Sequence, residues 1–185
     1  MQILDTIIAK KKIEVDNNKR NENISELKKE ILFKKDTKSF TDFLLRKDRS
    51  GIIAEYKRKS PSKGIINDVS SVEEVTADYA KYGASAISVL TDEEFFGGTI
   101  KHLLKATAVD IPVLRKDFII DEYQLIESKA YGADVILLIA ACLSKKEVKS
   151  LATIAKDIGL NVLLEIHNEA ELEHICDEVD VTGIN

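Results

Sequence analysis

A repeating βα protein built on a parallel sheet is the fold class this sequence predicts, and three observations predict it. Six short apolar segments recur after residue 50: "GIIAEYK" (51–57), "ASAISVLT" (84–91), "IPVLRKDF" (111–118), "ADVILLIA" (133–140), "NVLLEIH" (161–167) and "VDVTGIN" (179–185). Most are continuous runs of Val, Ile and Leu, as strands covered on both faces require. Stretches with helical spacing separate them, so that strand follows strand every ~20 to 35 residues, the repeat of a βα unit. Two junctions are near copies, "KYGASAISVL" and "AYGADVILLI", each with a glycine where a helix must end in a left-handed residue.

Before the first strand, residues 1–48 predict two or three helices. These are "DTIIAKKKIEVDNNKR", "NISELKKEILF" and "SFTDFLLRK", the last with Ser39 as N-cap. No Gly or Pro interrupts this region. It therefore predicts a helical extension packed on the rest, with 49–185 forming the βα unit through a sixth strand. The extension carries 13 Lys or Arg against 9 Asp or Glu in the first 50 residues, mixed in sign, which predicts a solvated helical surface. The five later helical stretches are "VEEVTADYAKY", "TIKHLLKATA", "DEYQLIESKAY", "SKKEVKSLATIAKDI" and "NEAELEHICDE".

Bulk properties exclude several classes of function. The balance of 27 basic and 32 acidic side chains, a net charge of −5, argues against nucleic acid as a partner. No apolar run approaches the roughly 20 residues that span a bilayer, and the N-terminus lacks a secretory pattern. With only Cys142 and Cys176, a disulfide framework is not expected, and a reducing cytoplasmic setting is. These cysteines and His102, His167 and His174 have no metal-ligand spacing, so no metal site is expected. The absence of GxGxxG, P-loop and GxSxG patterns leaves nucleotide cofactors and serine hydrolysis without support.

Periodicity alone does not separate an open doubly wound sheet from a closed barrel. The polar residues favour the barrel. Glu55 and Lys57, Thr91, Lys116 and Asp117, Glu165, and Asn185 end successive strands. In a barrel such ends converge on one mouth, whereas in an open sheet they spread along an edge. Alternation points Glu55 and Lys57 the same way, and an inward direction would largely remove the pair from water. With Lys116 and Glu165 they give two ammonium and two carboxylate groups, a set suited to proton donation and abstraction without a metal. Taken singly, each is as readily a solvated rim charge. Phe95 and Phe96 beside Gly97-Gly98, and Phe118 in "RKDF", offer an apolar platform for a ring or ordinary packing. "SPSKG" from Ser60 is an anion-binding loop or a plain turn.

Together the motifs "IIAEYKRKSPSKG", "SVLTDEEFFGGT", "PVLRKDFIIDEYQ", "YGADVILLIA", "LLEIHNEAEL" and "GIN" closely resemble indole-3-glycerol-phosphate synthase of tryptophan biosynthesis, in order from Gly51 to the last residue. The resemblance implies the TIM-barrel (β/α)₈ family, an α/β fold, here with about six of eight βα units after the helical extension. It implies a carbon–carbon lyase that acts on a small phosphorylated substrate without a cofactor. That substrate is 1-(2-carboxyphenylamino)-1-deoxyribulose 5-phosphate, which closes its indole ring with loss of carbon dioxide and water. By motif position, Lys116 corresponds to the general acid on the ribulose carbonyl. Lys57, held by Glu55, corresponds to a second lysine that binds the carboxylate and serves the dehydration, and Glu165 to the carboxylate that moves its proton. Asn185 corresponds to a substrate contact, Ser60 to a residue near the phosphate, and Phe96, Phe118 and Leu137 to the apolar lining around the ring.

Family members continue past "GIN" with two further strands and phosphate-gripping loops. The isolated 185 residues are therefore expected to show little synthase activity and to self-associate through open sheet edges. Two rival readings stay open at this stage: another phosphosugar barrel enzyme, and a non-catalytic fragment acting as an interaction module.

Overall fold

The computed structural model describes residues 3–185. Its centre is one six-stranded, wholly parallel sheet formed by β1 (Ile53–Tyr56), β4 (Ala86–Leu90), β5 (Val113–Lys116), β6 (Val135–Ile139), β7 (Asn161–Ile166) and β8 (Val181–Ile184), in that spatial order. The six strands are those the apolar runs predict. The parallel neighbours are joined by α4 (Val72–Lys81), α6 (Ile100–Ala106), α7 (Glu122–Ala130) and α8 (Lys145–Asp157). Ser71 and Ser144 cap α4 and α8 reciprocally with Glu74 and Glu147, which satisfies orphan N–H groups at each helix start. At the other ends Gly83 and Gly132 take the left-handed φ of +92° and +84°, and Gly159 repeats the device at +80°.

Alternation divides each strand between two cores. Ile87, Val89, Val113, Ile136, Leu138, Val162 and Leu164 face the surrounding helices. Ala86, Leu114, Val135, Leu137, Ile139 and Leu163 face inward, where Phe40 plugs the end opposite the strand tips. Phe40 begins α3 (Phe40–Leu45), capped by Ser39 as the sequence predicts. Asn161 accepts from the Phe40 N–H and donates to the Lys38 carbonyl, fixing the plug.

The extension differs from expectation in its middle. α1 (Ile3–Asn21) forms, but "NISELKKEILF" yields one turn, α2 (Ile24–Leu27), and a 3₁₀ turn at Leu32–Lys34. Only Leu27 of α2 is buried, so packing holds a single turn and leaves Ile31 in solvent. α1 and α2 lie on α7, where Val15 and Leu27 pack with Tyr123, Ile126 and Ala130. "NEAELEHICDE" is likewise a 3₁₀ segment, Glu169–His174. Glu171 there folds back to accept from the His167 N–H, a local bond that competes with an α-helix, and His174 is tied to the Leu143 carbonyl of a distant segment. "SPSKG" closes a small hairpin of β2 (Lys59–Ser60) and β3 (Gly64–Ile65). Among the described residues no helix is long and apolar enough to cross a membrane.

Candidate active site

The mouth forms where the inward face of the strands runs out of apolar residues. Two residues beyond Ile53 on β1 comes Glu55, then Lys57; two beyond Leu114 comes Lys116; two beyond Leu163 comes Glu165; two beyond Gly183 comes Asn185. Lys57 Nζ donates to Glu55 Oε1 at 2.5 Å, and Lys116 Nζ lies 3.4 Å from Glu165 Oε2. Glu165 Oε1 accepts from Asn185 Nδ2 at 3.1 Å, and His167 Nε2 stands 3.3 Å from the same oxygen. The expected burial of the Glu55–Lys57 pair is corrected: both side chains remain 33% exposed, because they rim an open mouth of about 420 Å³. Cys142 lies close by, its thiol pushed up to about 11 by burial, reinforced by the Glu165 and Glu171 carboxylates. It is no thiolate nucleophile at neutral pH.

A second, smaller cavity of about 80 Å³ opens beside the mouth, lined by Leu90, Phe96, Phe118 and Ile139 together with Glu55, Lys57, Lys116 and Asp117. The Phe96 and Phe118 rings stand 6.2 Å apart, tilted by 39°. Phe96 ends α5 (Glu93–Phe96), a single turn capped by Asp92 and closed by Gly97 at φ +66°. Gly98 is fixed rather than flexible: a Cβ there would lie 2.0 Å from the Leu90 carbonyl oxygen. Gly98→Ala is expected to displace the Phe96 turn and lower stability by about 1–3 kcal/mol or more, read from urea unfolding.

Not every expected residue joins this set. Leu137 is 1% exposed in the inward core, one layer below the cavity, and Ile139, two residues nearer the strand end, lines it instead. Ser60 sits in the β2–β3 hairpin, where its Oγ accepts from the Lys63 N–H at 3.2 Å, and it lines neither cavity. Phe95 donates its N–H to Asp92 and does not line the niche. Asp117 does not offer its charge to the mouth: its carboxylate is fully buried and bridged to Arg115 and Lys11.

That bridge belongs to a network which sequence reasoning missed. Arg115, pointing outward from β5, donates to Asp117, Glu127, Thr91, Ser128 and the Gln124 carbonyl. Lys11 of α1 is 1% exposed and lies within 3.0 Å of Asp92, Asp117 and Glu14. Burial alone would discharge Lys11, but Asp117, Glu14 and Asp92 reverse that and hold it protonated well above the usual lysine range. The expected solvated surface of the extension is thus corrected at this position. The signal was present in the spacing, since Ile7, Lys11 and Val15 follow at i, i+4 and i+8 on one helix face.

The family model for indole-3-glycerol phosphate synthase matches residues 4–185. The indole-3-glycerol phosphate synthase of Bacteroides thetaiotaomicron is 49% identical over 184 residues, 99% of this chain and 70% of that protein. Those of Endomicrobium trichonymphae and Alkaliphilus metalliredigens are 42% and 43% identical over 99% of this chain and 72% and 71% of their own lengths. The parallel sheet curled around an inward core, the helices on its outer face and the extent of these matches agree: the chain belongs to the indole-3-glycerol phosphate synthase family.

Proposed function

We propose that the mouth closes an indole ring on 1-(2-carboxyphenylamino)-1-deoxyribulose 5-phosphate, releasing carbon dioxide and water. One observation carries the assignment of roles: the apolar niche and the polar mouth share Glu55, Lys57 and Lys116. A ligand with its benzoate ring between Phe96 and Phe118 would lay its sugar chain across both lysines. The ring carbon that bears the carboxylate attacks the ribulose carbonyl carbon, and the Lys116 ammonium donates a proton to the developing alkoxide. Loss of that carboxylate as carbon dioxide returns its bonding electrons to the ring. Lys57, oriented by Glu55, pairs with the carboxylate before this loss and then protonates the departing hydroxyl. Glu165 accepts the proton given up as the ring double bond forms, steadied by Asn185. Ser60 is assigned toward the phosphate, and Leu137 supports the niche from beneath.

Residues 3–185 taken by themselves leave one edge of β1 and one of β8 without a strand partner. On that ground we expect slow turnover and a tendency to self-associate for these residues alone. Mixing protein in excess with the substrate is therefore the suitable assay. Indole fluorescence rising above a protein-free blank is expected; a flat trace, or turnover of an unrelated phosphosugar instead, would count against the reading.

A further inference from the structure

We propose that Lys11, on the helix that precedes the barrel, is a positioning residue for the ring niche, its ammonium locking together the two strand-end loops that carry Phe96 and Phe118. The proposal rests on the reading that this niche receives the substrate's aromatic ring. Lys11 Nζ lies 3.0 Å from Asp92 Oδ2 and 2.9 Å from Asp117 Oδ1, with Glu14 at 2.9 Å as the outermost partner. Each of the two aspartates also accepts a backbone N–H of its own loop. Asp92 Oδ1 accepts from the Phe95 N–H at 2.8 Å and so caps the turn that presents Phe96. Asp117 Oδ1 also accepts from the Phe118 N–H at 2.8 Å. A single ammonium is therefore one carboxylate away from the backbone of both walls of the niche, and Lys116 is the residue immediately before Asp117.

The physical state of this junction makes it a rigid reference point. Lys11, Asp92 and Asp117 are all buried, so no water is at hand to replace a lost partner. A buried carboxylate stripped of its counter-ion either takes a proton or turns toward solvent, and either change releases the loop it caps. Asp117 would keep Arg115, whereas among the described residues Lys11 is the cation paired with Asp92. The Phe96 wall is thus the one that depends most on Lys11. A salt bridge serving only to fasten α1 could join any two elements; this one meets the two loops whose phenylalanines face each other at 6.2 Å.

The chain contains no tryptophan, so the fluorescence of an aminobenzoate ligand can be titrated directly. Affinity for the ring-bearing substrate would be measured beside that for a phosphorylated ketopentose lacking the ring. The variants are Lys11→Met, the milder Lys11→Gln, Lys11→Arg, and Val15→Ala as a control that loosens the same helix away from the junction. Lys11→Met and Lys11→Gln should weaken the ring-bearing ligand on the order of 10-fold while moving the ring-free one less than about 2-fold, since small displacements of positioning groups carry large costs. Lys11→Arg should restore most of the affinity, and Val15→Ala should lower Tm with affinity unchanged. Folded Lys11→Gln that binds the ring-bearing ligand as tightly as the unsubstituted protein overturns the proposal. So does equal weakening of both ligands, or a matching loss in Val15→Ala. Failure of the unsubstituted protein to bind the ring-bearing ligand at all would remove the ring-closure reading itself, and this proposal with it.

Discussion

Replacing Lys116 by methionine is expected to slow formation of indole-3-glycerol phosphate by roughly 10²–10⁴-fold, the range lost with a positioned general acid. The side chain is a quarter exposed and its ion pair with Glu165 is long, so the fold does not depend on it. Tm should therefore shift little while the chemical step collapses. Methionine keeps the length and apolar stem of lysine and removes the donor. Substrate affinity set by Phe96 and Phe118 should survive, and kcat should fall far more than KM rises. Thermal unfolding together with steady-state or single-turnover rates checks both halves of this expectation.

Arg115→Met should show the opposite pattern, with a loss of about 3–5 kcal/mol in stability, the cost of leaving buried charges unpaired. Arg115 is buried beneath α7 and serves two carboxylates, a serine, a threonine and a carbonyl. Its removal takes from Glu127 the cation it pairs with, leaving it the Asn18 amide, and leaves Asp117 with Lys11 as its cationic partner. The pH dependence follows from the same group. Burial opposes ionisation of Asp117, but Arg115 and Lys11 outweigh it and hold the carboxyl well below its ordinary 3.8. In acid the unfolded chain thus takes up a proton that the folded protein refuses, so this contribution is present above about pH 4 and is lost as pH falls further. In Arg115→Met the folded carboxyl titrates nearer its ordinary value, and the acid limb of the stability curve should be shallower. Urea unfolding at neutral pH and at several acid pH values measures both effects.

The sheet was legible because its signal is repetitive. All six strands are short, mostly apolar runs, three of them following a helix that ends at a glycine, and local chemistry defines them. The polar strand ends were legible for the same reason: a charged residue two places beyond an inward-facing one must stay on the inward face. The 3₁₀ segment at Glu169–His174 was not, because its winding depends on a side chain turning back to His167 and on a carbonyl from another segment. Leu137 shows the resolution of strand reading, since its direction was right and its depth was off by one layer. Lys11 was obscured by composition. A lysine amid lysines reads as surface until its i±4 neighbours, both buried, are weighed. Its three carboxylate partners lie about 3 to 106 residues away in sequence, and only the fold assembles them.

The proposed division of labour is tested most directly by following carbon dioxide release and indole fluorescence together in a single turnover, with protein in excess over 1-(2-carboxyphenylamino)-1-deoxyribulose 5-phosphate. The unsubstituted protein should yield both signals and Lys116→Met neither on the same time scale. Glu165→Gln should release carbon dioxide while indole fluorescence lags behind, because ring attack precedes and dehydration follows. Loss of both signals in step in Glu165→Gln, or a Lys116→Met trace matching that of the unsubstituted protein, would contradict the account.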